Sequence, residues 1–299
     1  MTDVPAGASR QDGTPLIPEG LDATLVLVRH GESAFIAEGR FQGQAESPLP
    51  ATGRTQAALV GRRLARPHDD PALPIPGGRP REIVHSPLGR TRETAQAIAD
   101  AITLAGTAAE ARTAGDAPGG ASGTAMSLRL EPGLLELAQG EWQGVTHDDI
   151  ARRWPAELAA WRRRPWVSVA PGGESLAQVQ SRVRPALARV LDDLGRDYPR
   201  GSFDRPQVGG YRGVGQAQDQ PWSILVGHDG VFKVVFLTLF DLPFSQFWMI
   251  GYPLCGITVV ELRGGRPVLR AHGLTDHLSG TLDEAALAAA DARARSGAF

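Results

Sequence analysis

Residues Thr24-Leu25-Val26-Leu27-Val28 form a short, almost wholly aliphatic run that stops abruptly at Arg29-His30-Gly31. A run too short to cross a membrane and without polar alternation reads as a strand buried on both faces, which requires a sheet covered by helices on each side. A second run, Ser223-Ile224-Leu225-Val226, stops at Gly227-His228-Asp229-Gly230, placing its histidine 198 positions after the first (228 minus 30). Open α/β sheets bind ligands beyond the carboxyl ends of their strands. The fold class expected is therefore α/β, with two histidines at two strand ends able to face one another.

Periodicity fills in the other elements. Leu176, Val179, Val183, Leu187, Val190, Leu191 and Leu194 make one apolar stripe on a helix that starts after Glu174-Ser175, with Pro185 expected to kink it. Ala95, Ile98, Ala99 and Ile102 give a second stripe just after Arg90, so that arginine sits near a helix start, where bound anions are favoured. A strand ends near Val84. Gly256 to Leu262 reads as a late strand that Pro267 to Ala271 can pair with, and alanine-rich Ala285 to Arg293 as a terminal helix.

The 299 residues carry a formal net charge of −2, with 21% charged side chains and Lys233 as the only lysine. No global basic field points to nucleic acid, so an anionic partner must be held by local arginines. Cys255 is the only cysteine, which excludes an intramolecular disulfide and a cysteine-cluster metal site, and favours a cytoplasmic location. The first twenty residues lack the basic start and apolar core of a secretory signal. The expected organisation is a flexible tail over 1–20, one domain over 21–280 and a helical C-terminal tail over 281–299. Stretches near 67–81, 105–127 and 195–220, rich in Pro, Gly and polar residues, read as loops inserted into that domain.

Six blocks in order resemble the histidine phosphatase superfamily, in its phosphoglycerate mutase-like branch. They are Arg29-His30-Gly31-Glu32-Ser33; Arg40-Phe41-Gln42-Gly43 with Ser47-Pro48-Leu49 and Gly53; and Ser86-Pro87-Leu88-Gly89-Arg90-Thr91-Arg92-Glu93-Thr94-Ala95. Then come Leu135-Glu136 with Gly140-Glu141-Trp142-Gln143-Gly144; Pro171-Gly172-Gly173-Glu174-Ser175-Leu176; and Gly227-His228-Asp229-Gly230. The likeness spans roughly residues 24 to 275 and implies a three-layer α/β/α sandwich around a mostly parallel sheet.

The resemblance also implies chemistry. His30 is the expected nucleophile toward phosphorus, Arg29, Arg90 and His228 the expected phosphate pocket, and Glu136 the acid that protonates the leaving oxygen and later takes a proton from water. Arg29, Gly31, Gln42, Gly43, Arg90 and Asp229 are the expected substrate-binding residues. Arg92 competes with Arg90, and Glu131 and Glu141 compete with Glu136. Glu32 and Ser33 read as turn-fixing residues. No metal and no cofactor are expected; the partner is a small phosphorylated metabolite, with no nucleic acid, no membrane and a homo-oligomer left open.

The chain departs from the family pattern at three places, four residues in all. Phe35-Ile36 replaces a common Trp-Asn pair, His85 stands where a small hydroxyl residue is usual, and Asp229 adds an acid beside His228. With Trp142 and Trp166, the apolar pair hints at an apolar side to the pocket. Mutases of the family carry a long insertion between the Glu-bearing loop and the Gly-Glu-Ser block; Trp142 to Pro171 lacks it, so a metal-independent phosphomonoester hydrolase is favoured over a mutase. A catalytically quiet binder of phosphorylated ligands or proteins is the alternative of another class. Sugar phosphates, phosphoglycerate, precursors of the cobalamin nucleotide loop and phosphoamino acids all remain open as substrates.

Overall fold

The computed structural model describes residue 13 and residues 15–114, 125–196 and 220–279. Among these residues six strands form one sheet: β1 (Ala23–Arg29), β2 (Ile83–His85), β3 (Leu128–Leu130), β4 (Trp222–Gly227), β5 (Ile257–Arg263) and β6 (Arg266–Leu274), in the order β3-β2-β4-β1-β5-β6. β1, β2, β3 and β4 run parallel; β5 is antiparallel to β1, and β6 pairs antiparallel with β5. The sheet is thus mostly parallel, with a hairpin on one side.

Among the described residues seven α-helices accompany it: α1 (Ala34–Ala37), α2 (Ala51–Ala65), α3 (Gly89–Ala114), α4 (His147–Arg153), α5 (Pro155–Arg163), α6 (Leu176–Gly195) and α7 (Asp229–Leu239). Side-chain alternation along β1 divides the core between two layers. Leu25 and Leu27 join Val179, Val183, Leu187, Val231 and Val235 of α6 and α7, whereas Val26 and Val28 join Val60, Leu64, Ile98 and Ile102 of α2 and α3. Every residue of α7 is buried, its many apolar side chains in the core and its Lys233 paired with Asp229 one turn away.

α6 starts at a reciprocal cap. The Ser175 hydroxyl accepts from the Gln178 amide (3.3 Å) and the Gln178 carboxamide oxygen accepts from the Ser175 amide (2.8 Å). The helix runs as one element through Pro185. Several expectations need correction. Leu16, at the end of the proposed tail, is buried in the core with Leu21, so the folded unit begins before residue 21. The 67–81 stretch has no helix or strand, yet Leu73 and Ile75 anchor it in the α2–α3 layer; two apolar side chains suffice to dock a polar loop. The 105–127 stretch is helical to Ala114, because the alanines that made it look featureless are good helix formers. Residues 115–124, 197–219 and 280–299, including the proposed terminal helix, lie outside the described residues.

α2 and α3 approach closely at Gly61, where an added Cβ would sit 2.7 Å from the Ala97 carbonyl oxygen. Replacing a helical glycine by alanine ordinarily stabilises a helix by about 1 kcal/mol. Here the clash is with backbone, so Gly61→Ala is expected to lower stability by about 1–3 kcal/mol in urea unfolding. A gain in stability would show that the two helices are free to separate.

Candidate active site

Strand register assembles the site. Arg29 pairs with Gly227 across β1 and β4, and the His30 amide continues the ladder onto the Gly227 carbonyl (3.0 Å), so His30 and His228 leave adjacent strand ends side by side. Their ring centroids are 5.0 Å apart at 64°. His85 pairs with Val226, which brings Ser86 to the same edge, and the Ser86 hydroxyl lies 2.9 Å from His228 Nε2.

The two imidazoles are held in different ways. His30 Nδ1 lies 2.6 Å from the Gly31 carbonyl, which only accepts, so Nδ1 carries the proton and Nε2 keeps its lone pair. His228 Nδ1 faces Arg90 Nε at 3.3 Å, which only donates, so in this geometry Nδ1 is the acceptor and Nε2–H donates to Ser86. Both rings are buried, and burial, reinforced by Arg90 and Arg29, holds their pKa well below 6.5. Both are therefore neutral at neutral pH.

Cations surround them. Arg90, at the first turn of α3, sends Nη2 to the Gly43 carbonyl (2.7 Å) and Nη1 to the Ala45 carbonyl (2.9 Å). Burial lowers its pKa to about 10, opposed by Glu136 and Glu46, so it stays charged. Arg29 gives Nη1 to the Tyr252 carbonyl (2.7 Å), and its Nε is buried without a partner among the described residues. The competitor Arg92 is exposed on the outer face of α3. The α3 N-terminus does not wait for an anion: the Glu46 carboxylate already accepts from the Gly89 amide (3.1 Å).

Glu136 is buried at the N-terminus of α7. Its carboxyl accepts from the amides of Leu137 (2.8 Å), Val231 (2.8 Å) and Gly230 (3.2 Å). Burial raises its pKa above 4.5; the Leu137 and Val231 amides and Arg90 oppose this, and negative Asp229 adds to it. Gly230 must lack a side chain, since a Cβ there would sit 2.7 Å from Glu136 Oε1. The competing carboxylates are elsewhere: Glu131 is bound by Arg129 and Arg189, and Glu141 is exposed.

The remaining residues named from sequence are placed as supports. The Gly31 amide donates to Thr94 Oγ1 (3.2 Å), and a Cβ on Gly31 would meet the Gly53 carbonyl oxygen at 2.4 Å. The buried Gln42 accepts from the Ser33 hydroxyl, which also caps α1. Gly43 takes φ +53 and turns its carbonyl to Arg90. Both oxygens of Asp229 are occupied, one by Lys233 Nζ and one by the Tyr252 amide (2.8 and 2.7 Å). His85 is buried with Nδ1 on the Ser86 carbonyl (2.8 Å). Trp142 is core, edge-on to Phe41, and the partly buried Trp166 packs against the same core. Ser86 is a site residue that the sequence does not single out beyond its motif; its place after β2, beside the end of β4, is the signal that could have found it. Among the described residues no three His, Cys, Asp or Glu side chains cluster as a metal site, and no helix is long and apolar enough to cross a membrane.

The sequence profile described as the histidine phosphatase superfamily (branch 1) matches residues 25–111, 107–197 and 212–275. The chain belongs to this superfamily. Phosphoserine phosphatase 1 of Hydrogenobacter thermophilus is 25% identical over 85% of this chain and 93% of its own length. Glucosyl-3-phosphoglycerate phosphatase of Mycobacterium tuberculosis is 28% identical over 76% and 79%. A solved structure of the mycobacterial glucosyl-3-phosphoglycerate phosphatase, 24% identical, shares the fold with a TM-score of 0.61 over 85% of this chain and all of that one. A probable phosphoglycerate mutase (GpmB) of Salmonella choleraesuis is 33% identical over 56% of this chain and 63% of its own length.

The buried neutral histidines set a pH dependence of stability. Their unfolded pKa is 6.5 and their folded values lie below it, so between these limits the unfolded chain binds more protons and stability falls as pH falls. The loss approaches about 1.4 kcal/mol per pH unit for each such histidine. Urea unfolding between pH 7 and pH 5 is expected to show it, with a shallower decline in His30→Gln; equal slopes would mean that His30 is protonated in the folded protein.

Proposed function

We propose that this histidine phosphatase superfamily member hydrolyses a small phosphomonoester through a phosphohistidine on His30. The observation that carries the reading is the Gly31 carbonyl on His30 Nδ1, which leaves Nε2 bare and fixed beside two arginines. Nε2 attacks phosphorus as the ester oxygen departs, and that oxygen takes the proton of Glu136, whose raised pKa suits a donor. Water then attacks the phosphohistidine and returns a proton to Glu136, restoring the His30 lone pair and releasing inorganic phosphate.

Arg29 and Arg90 supply the charge that a phosphoryl group spreads over its oxygens. A phosphoryl oxygen entering between Arg90 Nε and His228 Nδ1 would accept from Arg90. Ser86, being both donor and acceptor, lets His228 move its proton to Nδ1 and donate as well. Asp229 has no role in binding on this reading, since Lys233 and the Tyr252 amide take both its oxygens.

Hydrolysis is favoured over mutase chemistry because the segment from Trp142 to Pro171 holds only α4, α5 and short turns, with no added cover that would shield phosphohistidine from water. The relatives named as phosphatases support small phosphorylated metabolites as the substrate class. A phosphate seat built of guanidinium and imidazole donors supports metal-independent chemistry. A cytoplasmic location is our reading from the single cysteine, buried at Cys255.

A panel of phosphomonoesters, with phosphoserine, glucosyl-3-phosphoglycerate and 3-phosphoglycerate included, is to be run in chelator. Inorganic phosphate is expected without isomerisation of 3-phosphoglycerate; isomerisation primed by a bisphosphate would make the protein a mutase, and silence on every ester would favour a binding role. His30→Ala should abolish turnover and acid-labile phosphate incorporation together while the protein stays folded, and normal turnover would end the nucleophile assignment.

Glu136→Gln should lower kcat/KM for alkyl phosphates by about 10²–10⁴-fold, the usual span for a proton donor. A nitrophenyl ester, whose leaving group needs little protonation, should lose far less. Equal losses on both esters would remove Glu136 from the acid role.

A further inference from the structure

Arg182, on α6, is used by none of the steps above, yet all five of its N–H donors are engaged. Nε and Nη2 grip the two oxygens of Glu174 (3.0 and 2.8 Å). Nη1 donates to the carbonyls of Gly133 (3.1 Å) and Leu135 (2.7 Å), and Nη2 also donates to the carbonyl of Glu136 itself (3.0 Å). The peptide that carries Glu136 is thus held from one side by a single planar group.

Its other side is held as well. Glu174 Oε2 accepts from the Ala138 amide (2.9 Å) and from Gln44 Nε2 (3.1 Å), and Gln44 Nε2 donates to the Glu136 carbonyl (3.0 Å). Gln44 lies between Gly43 and Ala45, whose carbonyls bind the Arg90 guanidinium (2.7 and 2.9 Å). Hydrogen bonds thus run from Arg182 through Glu174 to the Gln44 side chain, and the backbone on either side of Gln44 carries the two carbonyls that aim Arg90.

We propose that Arg182 is a positioning residue: with Glu174 and Gln44 it fixes the Glu136 carboxyl relative to the Arg90 guanidinium, so that proton donor and phosphate binder meet the same ester. The inference rests on Glu136 being the proton donor. A donor acts only within hydrogen-bond reach of the departing oxygen, and losses of rate follow small displacements. The Arg182–Glu174 pair is only about one-fifth exposed, so its guanidinium is largely withdrawn from water. What five simultaneous donors in a rigid fork supply is geometry, and a lysine ammonium cannot reproduce it.

The test compares Arg182→Lys and Arg182→Ala with Glu136→Gln, reading kcat/KM on the best alkyl phosphate of the panel and on 4-nitrophenyl phosphate. This ratio reports the steps up to the first P–O cleavage. Both Arg182 variants are expected to lose about 10–100-fold on the alkyl ester and less than about 3-fold on the nitrophenyl ester, with KM near wild type, a fraction of the loss for removing the donor outright. Guanidinium added to Arg182→Ala should restore alkyl-ester activity in part. Equal losses on both esters, or none on either, would overturn the proposal and leave an ordinary structural ion pair. Should the alanine variant fail to fold, the lysine variant carries the same comparison. If Glu136→Gln itself does not separate the two esters, the donor assignment fails; if it does and the Arg182 variants do not, only the positioning role fails.

Discussion

The parallel pairing of β1 with β4 is the constraint on which the site depends. A register that sets Arg29 opposite Gly227 leaves two histidines with one place to go, the shared carboxyl edge, 5.0 Å apart. A slip of one residue would turn every β1 side chain to the opposite layer, putting Leu25 and Leu27 against α2 and α3. The distinct apolar layers on the two faces therefore lock the register, and the register places the chemistry. Packing and function are in this sense one specification.

Burial does the electrostatic work at that edge. Two imidazoles sealed among arginines stay neutral, which gives His30 a lone pair at neutral pH without a neighbouring base. The same burial drives Glu136 the opposite way, toward its protonated form. The nucleophile is thus uncharged in the empty pocket, the acid is shifted toward its protonated form, and the guanidinium groups of Arg29 and Arg90 supply positive charge. The extra acid beside His228 does not cancel them. Asp229 is paired with Lys233 four residues along α7, and that ammonium also lies over Trp248 (4.8 Å), so the pair adds no net charge to the core. This explains how an anion site tolerates an acid at a position that looks disruptive in sequence.

How much of this was legible in the sequence varies with the range of the interaction. The strand runs, the stripe of α6 and the Ser175 cap are local, and pattern located them. His30, Arg29 and His228 follow their strands directly, so knowing the strand end gives their place. Helix position alone does not separate Arg90 from Arg92, since both lie in the first turn of one helix; the resemblance favoured Arg90, and the direction each faces, inward for Arg90 and exposed for Arg92, agrees with it. Arg182 gave no signal at all. It sits within the polar part of an amphipathic helix, and its role comes from carbonyls 47 to 49 residues away along the chain. The helix to Ala114 was missed, and the docking of the loop at 67–81 unforeseen, for a related reason. Composition reports average polarity, whereas two docked side chains or a run of alanines settle the local structure.

The β5 end of the hairpin shows where rigidity is concentrated. The Cys255 amide donates to the carbonyls of both Arg29 and His30 (3.1 and 3.4 Å), and to do so the residue takes φ +50, a left-handed conformation that disfavours any side chain. Such a conformation persists only where its surroundings over-determine it. Here they do: the side chain is fully buried, His277 lies 3.1 Å from its carbonyl, and β5 begins two residues later in register with β1. Burial pushes the thiol pKa far above its usual range, so Cys255 is not poised to react as a thiolate. Its contribution is backbone geometry. Tyr252, three residues earlier, turns its carbonyl to Arg29 while its amide is fixed by Asp229. The short segment before β5 thus holds the nucleophile and its arginine from behind, and the strained residue and the buried ion pair converge on that support. A phosphate pocket made of flexible cationic side chains gains from such backing, since donors already aimed at the developing charge need no reorganisation when the ester reacts.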